Sequence, residues 1–247
     1  MNRKEQAEKI AEMCARDFLA ENFGRELFIG AHIERILERR ATLIYQIVDD
    51  SKFFGATVCY ENGDTFIALN TCHPLRMRYF TAAHELWHLV EMRGFQDEQF
   101  DHEQAADRFA AAIMLPKDSV KEIWSHLKKQ YTVEEAVVML ADLAAVPYLA
   151  VMRRLKELVV SVKDISVRTE EEWVAWRKEM NLLESPLDVA QQFTRFSAYE
   201  EAVKTGVEQQ VVDPLDAANK LVRFAPLQAE RWQQDVIKRA QNEASDE

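Results

Sequence analysis

The chain has 247 residues, of which 48% are hydrophobic and 30% charged, with six glycines, six prolines and a net charge of −11. This composition excludes a disordered chain, and the acidity argues against nucleic acid as the main ligand, since a general DNA or RNA binder turns a basic face to phosphate. So few turn formers point to an α+β protein that is mostly helical, long enough for one sizeable core and a smaller appendage.

The three cysteines, Cys14, Cys59 and Cys72, are odd in number and include no CxxC pair. They argue against a disulfide framework and for a reducing compartment. The opening stretch MNRKEQAEKIAEM has no apolar signal region, and no run approaches the ~18 apolar residues of a membrane span. A cytoplasmic location is expected.

In chain order, Ala7, Ile10, Cys14 and Phe18 recur at helical spacing, predicting a helix over 2–22 that ends near Asn22-Phe23-Gly24. A short helix is expected over 32–40. Runs rich in β-branched and aromatic residues then predict strands near 42–48, 55–60 and 65–70. Asn62-Gly63-Asp64 marks a hairpin between the last two. The expectation is a small antiparallel sheet. Helices are predicted over 79–93, 102–114 and 117–129, with the loop GFQDEQFD before the second. Thr132-Val-Glu-Glu135 is a capping box opening a helix to about Leu143, and Pro147 starts another from Tyr148 to about Val160.

A second capping box, Thr169 to Glu172, opens a region read as separate and all-helical, giving domains of 1–163 and 164–247. Within it SPLDVAQQFTRF (185–196) and DPLDAANKLVRF (213–224) match at six of twelve positions, 28 residues apart. Ser-Pro and Asp-Pro at their starts read as N-cap then N1, so two copies of a helix-pair unit are expected. Two copies are too few for a stacked repeat array.

The chemistry concentrates in FTAAHELWHLVEM, residues 80–92. On a helix His84 and His88 lie one turn apart on one face and can aim their imidazoles at one point, as zinc ligands do. Glu85 is rotated by about 100°, too far to ligate but near enough to serve as a general base beside the metal. A catalytic zinc needs a third protein ligand. Glu103 is the best candidate, because Asp107 lies four residues on and could accept a hydrogen bond from the second ring nitrogen of a ligand histidine. Asp101 and His102 compete with Glu103. Tyr79, His73 and His102 are candidates for stabilising an oxyanion or contacting substrate. The strand bearing Phe66, Ala68 and Asn70 could pair with an extended substrate.

Residues 66–116 resemble the ImmA/IrrE family of zinc metallopeptidases. The resemblance rests on FIALN, on RMRYFTAAHELWH read as a short basic link into the histidine motif, and on EQAADRFAAAIMLP, and it extends plausibly over residues 1 to about 160. It implies a zincin-like core, Zn2+ held by His84, His88 and Glu103, and Glu85 as catalytic base. It implies a substrate as well, a helix-turn-helix repressor of a mobile element or stress response. Trp87 stands where the family usually has a small residue. The alternative is a non-proteolytic module that sequesters a repressor or toxin around a structural zinc. Residues 132–160 resemble a helix-turn-helix, with Arg153, Arg154 and Lys156 on its second helix. In so acidic a chain a structural helix pair is expected instead. The aromatic residues after 165 could add a docking surface for the protein partner.

Overall fold

The computed structural model describes residues 3–91, 100–158 and 168–243. Helices α1 (Arg3–Phe23) and α2 (His32–Glu38) precede strands β1 (Thr42–Gln46), β2 (Gly55–Cys59) and β3 (Thr65–Asn70). Helices α3 (Leu75–Glu91), α4 (His102–Met114), α5 (Lys117–Leu127), α6 (Val133–Ala144), α7 (Tyr148–Glu157) and α8 (Glu170–Glu179) come next. A 3-10 turn (Pro186–Asp188) then leads to α9 (Ser197–Glu208), α10 (Pro214–Leu221) and α11 (Pro226–Glu243). The class is α+β and mostly helical. Most of the expected loop at 94–101 and the expected boundary at 163/164 lie outside the described residues.

The sheet is mixed rather than antiparallel, in the order β1-β3-β2. The Asn62-Gly63 turn closes the antiparallel β2–β3 hairpin, with Gly63 at φ 90°. Strand β1 runs parallel to β3 on its other side. The connection from β1 to β2 must therefore pass across the end of β3, and Asn70 holds it there. Its side-chain oxygen accepts from the backbone of Val48 and Cys72, and its amide donates to the carbonyls of Val48 and Phe53. Asn70 is buried and spent on this clamp. The central place of β3 also corrects the expectation that Phe66, Ala68 and Asn70 form a substrate-pairing strand, because both edges of β3 are already paired.

Helix α3 begins four residues earlier than its apolar pattern suggests. The arginines read as a basic link are interior: Arg76 is 2% exposed and Arg78 4%. Each has an acidic partner, Arg78 donating to Glu34 on α2 at 2.7 Å. Behind α3, α4 turns Ala105, Ala106 and Ala110 inward, and α1 turns in Ala7, Ala11 and Ala15. These two helices pack together, their small side chains allowing close approach. Trp87 is fully buried between α3 and α4, its ring 5.5 Å from Phe109 and 6.3 Å from Phe100. The bulk that departs from the family pattern fills the interior, not the cleft.

Arg154, one of the basic residues on the second helix of the helix-turn-helix-like pair, is 1% exposed. It grips both oxygens of Glu12 and the carbonyl of Leu115, tying α7 to α1 and to the end of α4. Helices α6 and α7 cross at 106° and bury most of their apolar residues. No single helix among the described residues is long and apolar enough to cross a membrane.

The two copies of the sequence repeat take different structures. Both caps form, Ser185 accepting from Leu187 and Asp213 from Leu215. The second copy continues as α10. The first makes only the 3-10 turn and then runs extended, bridging Ala190 to Pro74 and Arg195 to Tyr45. Thr71 donates to the Phe193 carbonyl and accepts from its amide, at 2.8 and 3.3 Å. The β-branched and aromatic residues Val189, Phe193 and Thr194 suit the extended path they lie on, whereas Ala217 and Ala218 favour helix. The expected helix-pair unit is thus absent from 185–196. Trp173, Leu187 and Phe193 join the main core, while Val203, Ala217, Ala218, Leu221 and Ala229 form a second, small one.

One buried polar cluster binds these parts. Arg76 of α3 donates to Asp142 of α6, to Asp188 of the 3-10 turn, to Tyr148 of α7 and to the Val146 carbonyl. Arg177 of α8 takes both oxygens of Asp142. Burial alone would raise the Asp142 carboxyl, but Arg177 and Arg76 outweigh it and hold it below its ordinary 3.8. Asp142 therefore stabilises the fold above that value, and the contribution is lost as pH falls through the lower folded value. Asp142→Asn is expected to lower stability in urea unfolding at neutral pH, and its gap from wild type should narrow as the pH drops below 3.8. Arg76→Met, which strands buried carboxylates, should cost about 3–5 kcal/mol.

Candidate metal centre

Helix α3 carries His84 and His88 on the side facing α4, and α4 presents Glu103 and Asp107 from its first two turns. One donor atom each from His84, His88 and Glu103 lies within 4.8 Å of the others. The Glu103 carboxylate spans the pair, one oxygen 3.4 Å from His84 Nε2 and the other 3.8 Å from His88 Nε2. His84 Nδ1 donates to Asp107 at 3.0 Å. That bond fixes the tautomer and leaves the Nε2 lone pair for the cluster.

Of the competing third ligands, Asp101 is the N-cap of α4, its carboxylate accepting from the Gln104 amide at 3.0 Å. His102 packs its ring 4.7 Å from that of Phe100. Neither belongs to the three-residue cluster.

The donor set suits zinc: two imidazoles and one carboxylate, with room for a further ligand. The electrostatics also suit a cation. Burial would lower the His84 pKa, yet the hydrogen bond to Asp107 and the charges of Glu85, Asp107 and Glu103 outweigh it and raise it. The surroundings thus favour positive charge at this point.

Glu85 sits one position round the helix from His84 and is 6% exposed. Burial raises its carboxyl above the ordinary range, opposed by the Thr57 hydroxyl, which donates to Oε2 at 2.7 Å. Thr57 belongs to β2, so the edge of the sheet orients the carboxylate. No sequence motif marks Thr57; only the packing of β2 against α3 reveals it. Gly55, two residues earlier, is just as constrained. A Cβ there would lie 2.8 Å from the Thr81 methyl, 3.0 Å from the Ala68 carbonyl and 3.2 Å from Glu85 Oε1.

A cleft of about 360 Å³ opens over this arrangement, lined by Phe53, Phe54, Gly55, Met77, His84 and Glu85 among others. The remaining sequence candidates lie off it. Tyr79 is buried beside Arg78, with its hydroxyl raised by burial and by the charge of Glu34. His73 bonds the Phe53 carbonyl at 2.8 Å and stacks on Phe54. Neither lines the cleft over the cluster.

Gly55→Ala is expected to cost about 1–3 kcal/mol in denaturant unfolding through overpacking, with part recovered by Thr81→Ser, which removes the nearest methyl. Asp107→Ala should weaken zinc binding about 10–100-fold in a chelator competition, because His84 loses its orienting partner.

No curated protein matches the chain. Residues 47–156 match the family model described as the IrrE N-terminal-like domain of the M78 peptidases. That span holds β2, β3, both helices of the candidate metal site and nearly all of the α6–α7 pair, and over it the chain is similar to the ImmA/IrrE metallopeptidases.

Proposed function

We propose that the protein is a cytoplasmic zinc metalloendopeptidase that inactivates a regulatory protein, a helix-turn-helix repressor of a mobile element or stress response. The observation that carries this reading is Glu85. A structural zinc site has no use for a buried carboxylate beside its ligands, held by a hydroxyl from another element and open to a cleft.

His84, His88 and Glu103 would hold the ion, with Asp107 orienting His84. When bound, zinc supplies Lewis acidity to a peptide carbonyl and makes a water acidic enough to deprotonate near neutral pH. Glu85 does the proton work. Burial keeps its carboxyl more basic than an ordinary glutamate, so it can take a proton from the attacking water and pass it to the leaving amine. Thr57 occupies Oε2 and leaves Oε1 for that task.

The substrate would bind extended along β2, not β3. Among the described residues the outer edge of β2 pairs with no strand, whereas that of β1 meets Arg195. An added strand there would run beside Thr57 and Glu85.

The test combines metal content by mass spectrometry with cleavage of the helix-turn-helix protein encoded beside this one. Wild type is expected to hold one zinc and cut the neighbour. Glu103→Ala should lose zinc and activity together. Glu85→Gln should keep zinc and lose activity by two orders of magnitude or more, as removal of a general base does (about 10²–10⁴). Zinc binding with an uncut, co-purifying neighbour would replace the peptidase by a sequestering module.

A further inference from the structure

Beside the metal cleft lies a second hollow of about 500 Å³, and the two share Phe54 and Met77 as walls. Its far side is made by residues outside the family-matched span: Glu170, Glu171 and Val174 of α8, and Asp188 of the 3-10 turn. We propose that this hollow is a substrate subsite for an arginine or lysine side chain, a reading that rests on the peptidase function proposed above.

The chemistry of the walls selects the occupant. Phe54, Met77 and Val174 offer apolar surface, and because Asp188 is paired with Arg76, the acidic side of the hollow is set by Glu170 and Glu171. The Arg76 guanidinium is already bound by Asp142 and Asp188. Burial raises the Glu170 carboxyl overall, opposed by the amides of Leu149 and Tyr148, which donate to it at 2.6 and 3.1 Å and favour its charged form. Glu171 is exposed and forms no ion pair with Lys or Arg among the described residues. Arginine and lysine match such a place because they bury an apolar stem and present a charged head. A glutamate would meet like charge, and a leucine would leave the acidic side unanswered.

The wall is held rigidly. Arg177 ties α8 to Asp142, and Trp173 is buried. Position then sets the reach. Met77 precedes His84 by seven residues, about 10 Å along α3. An extended peptide covers that distance in about three residues, at roughly 3.3 Å each. The hollow is thus within reach of the few residues that flank the cleaved bond.

The probe is a set of fluorescein-labelled dodecapeptides of Ala, Ser and Leu, each carrying one Arg, Leu or Glu at a scanned position. Binding is read by anisotropy on the full-length, zinc-loaded Glu85→Gln protein, and cleavage of the same peptides by wild type is read by mass spectrometry. The Arg peptide is expected to bind about tenfold tighter than the Glu peptide, the scale of one charge discriminated at a partly wet site. Adding Glu171→Gln should shrink that ratio, and Val174→Trp, which fills the hollow, should abolish it, with zinc content and melting temperature held. Equal affinities, a preference untouched by both variants, or no measurable binding of the Arg peptide would overturn the subsite. Cleavage by wild type that ignores the scanned residue would overturn it too while leaving the peptidase standing. An Arg preference without cleavage would keep the subsite and remove the peptidase.

Discussion

Arg76 has to be neutralised inside the protein, and much of the architecture answers that requirement. A guanidinium 2% exposed is tolerable only if its donors are met by charge and by oriented oxygens. Those oxygens come from α6, from α7, from the carbonyl of Val146 between them and from the turn after α8. Because Arg76 lies in the first turn of the helix that carries the histidines, everything that satisfies it also fixes where that helix begins. The metal site is thus anchored from its non-catalytic end. The α1–α4 alanine interface anchors it from the other side by setting where Glu103 and Asp107 stand.

The sequence disclosed the local features well. Element types, most helix ends and both capping boxes follow from spacing and turn chemistry, and the His84–His88–Glu103 cluster follows from i, i+4 geometry on two helices. The tertiary relations stayed hidden. Arg76 and Arg78 look like a solvated basic link because charge is read as exposure until partners 44 to 113 residues away are known. The sheet order could not be read from strand pattern, since a parallel and an antiparallel neighbour bury the same alternation. The choice of β3 as the substrate strand rested on that missing order. Thr57 was invisible for the same reason: a threonine in a strand carries no mark of the carboxylate it will meet.

The repeat shows how far local sequence can be overruled. Two segments sharing Pro-Leu-Asp and Arg-Phe at matching places become a helix in one setting and an extended strap in the other. The caps are local and survive in both. Beyond the cap, the path of the chain depends on whether a strand edge and the start of α3 are there to receive it.

That strap has a consequence for how the molecule comes into being. Thr71 and Phe193 are 122 residues apart, and Arg76 and Asp188 are 112 apart. A nascent chain released as far as α7 already contains His84, Glu85, His88 and Glu103, but Arg76 still lacks Asp188 and Arg177 is not yet made. Long-range closures of this kind are slow and come late. The helix that bears the candidate ligands is locked only after Arg177, Asp188 and Phe193 have been made, so the order of synthesis itself separates making those ligands from setting them in place.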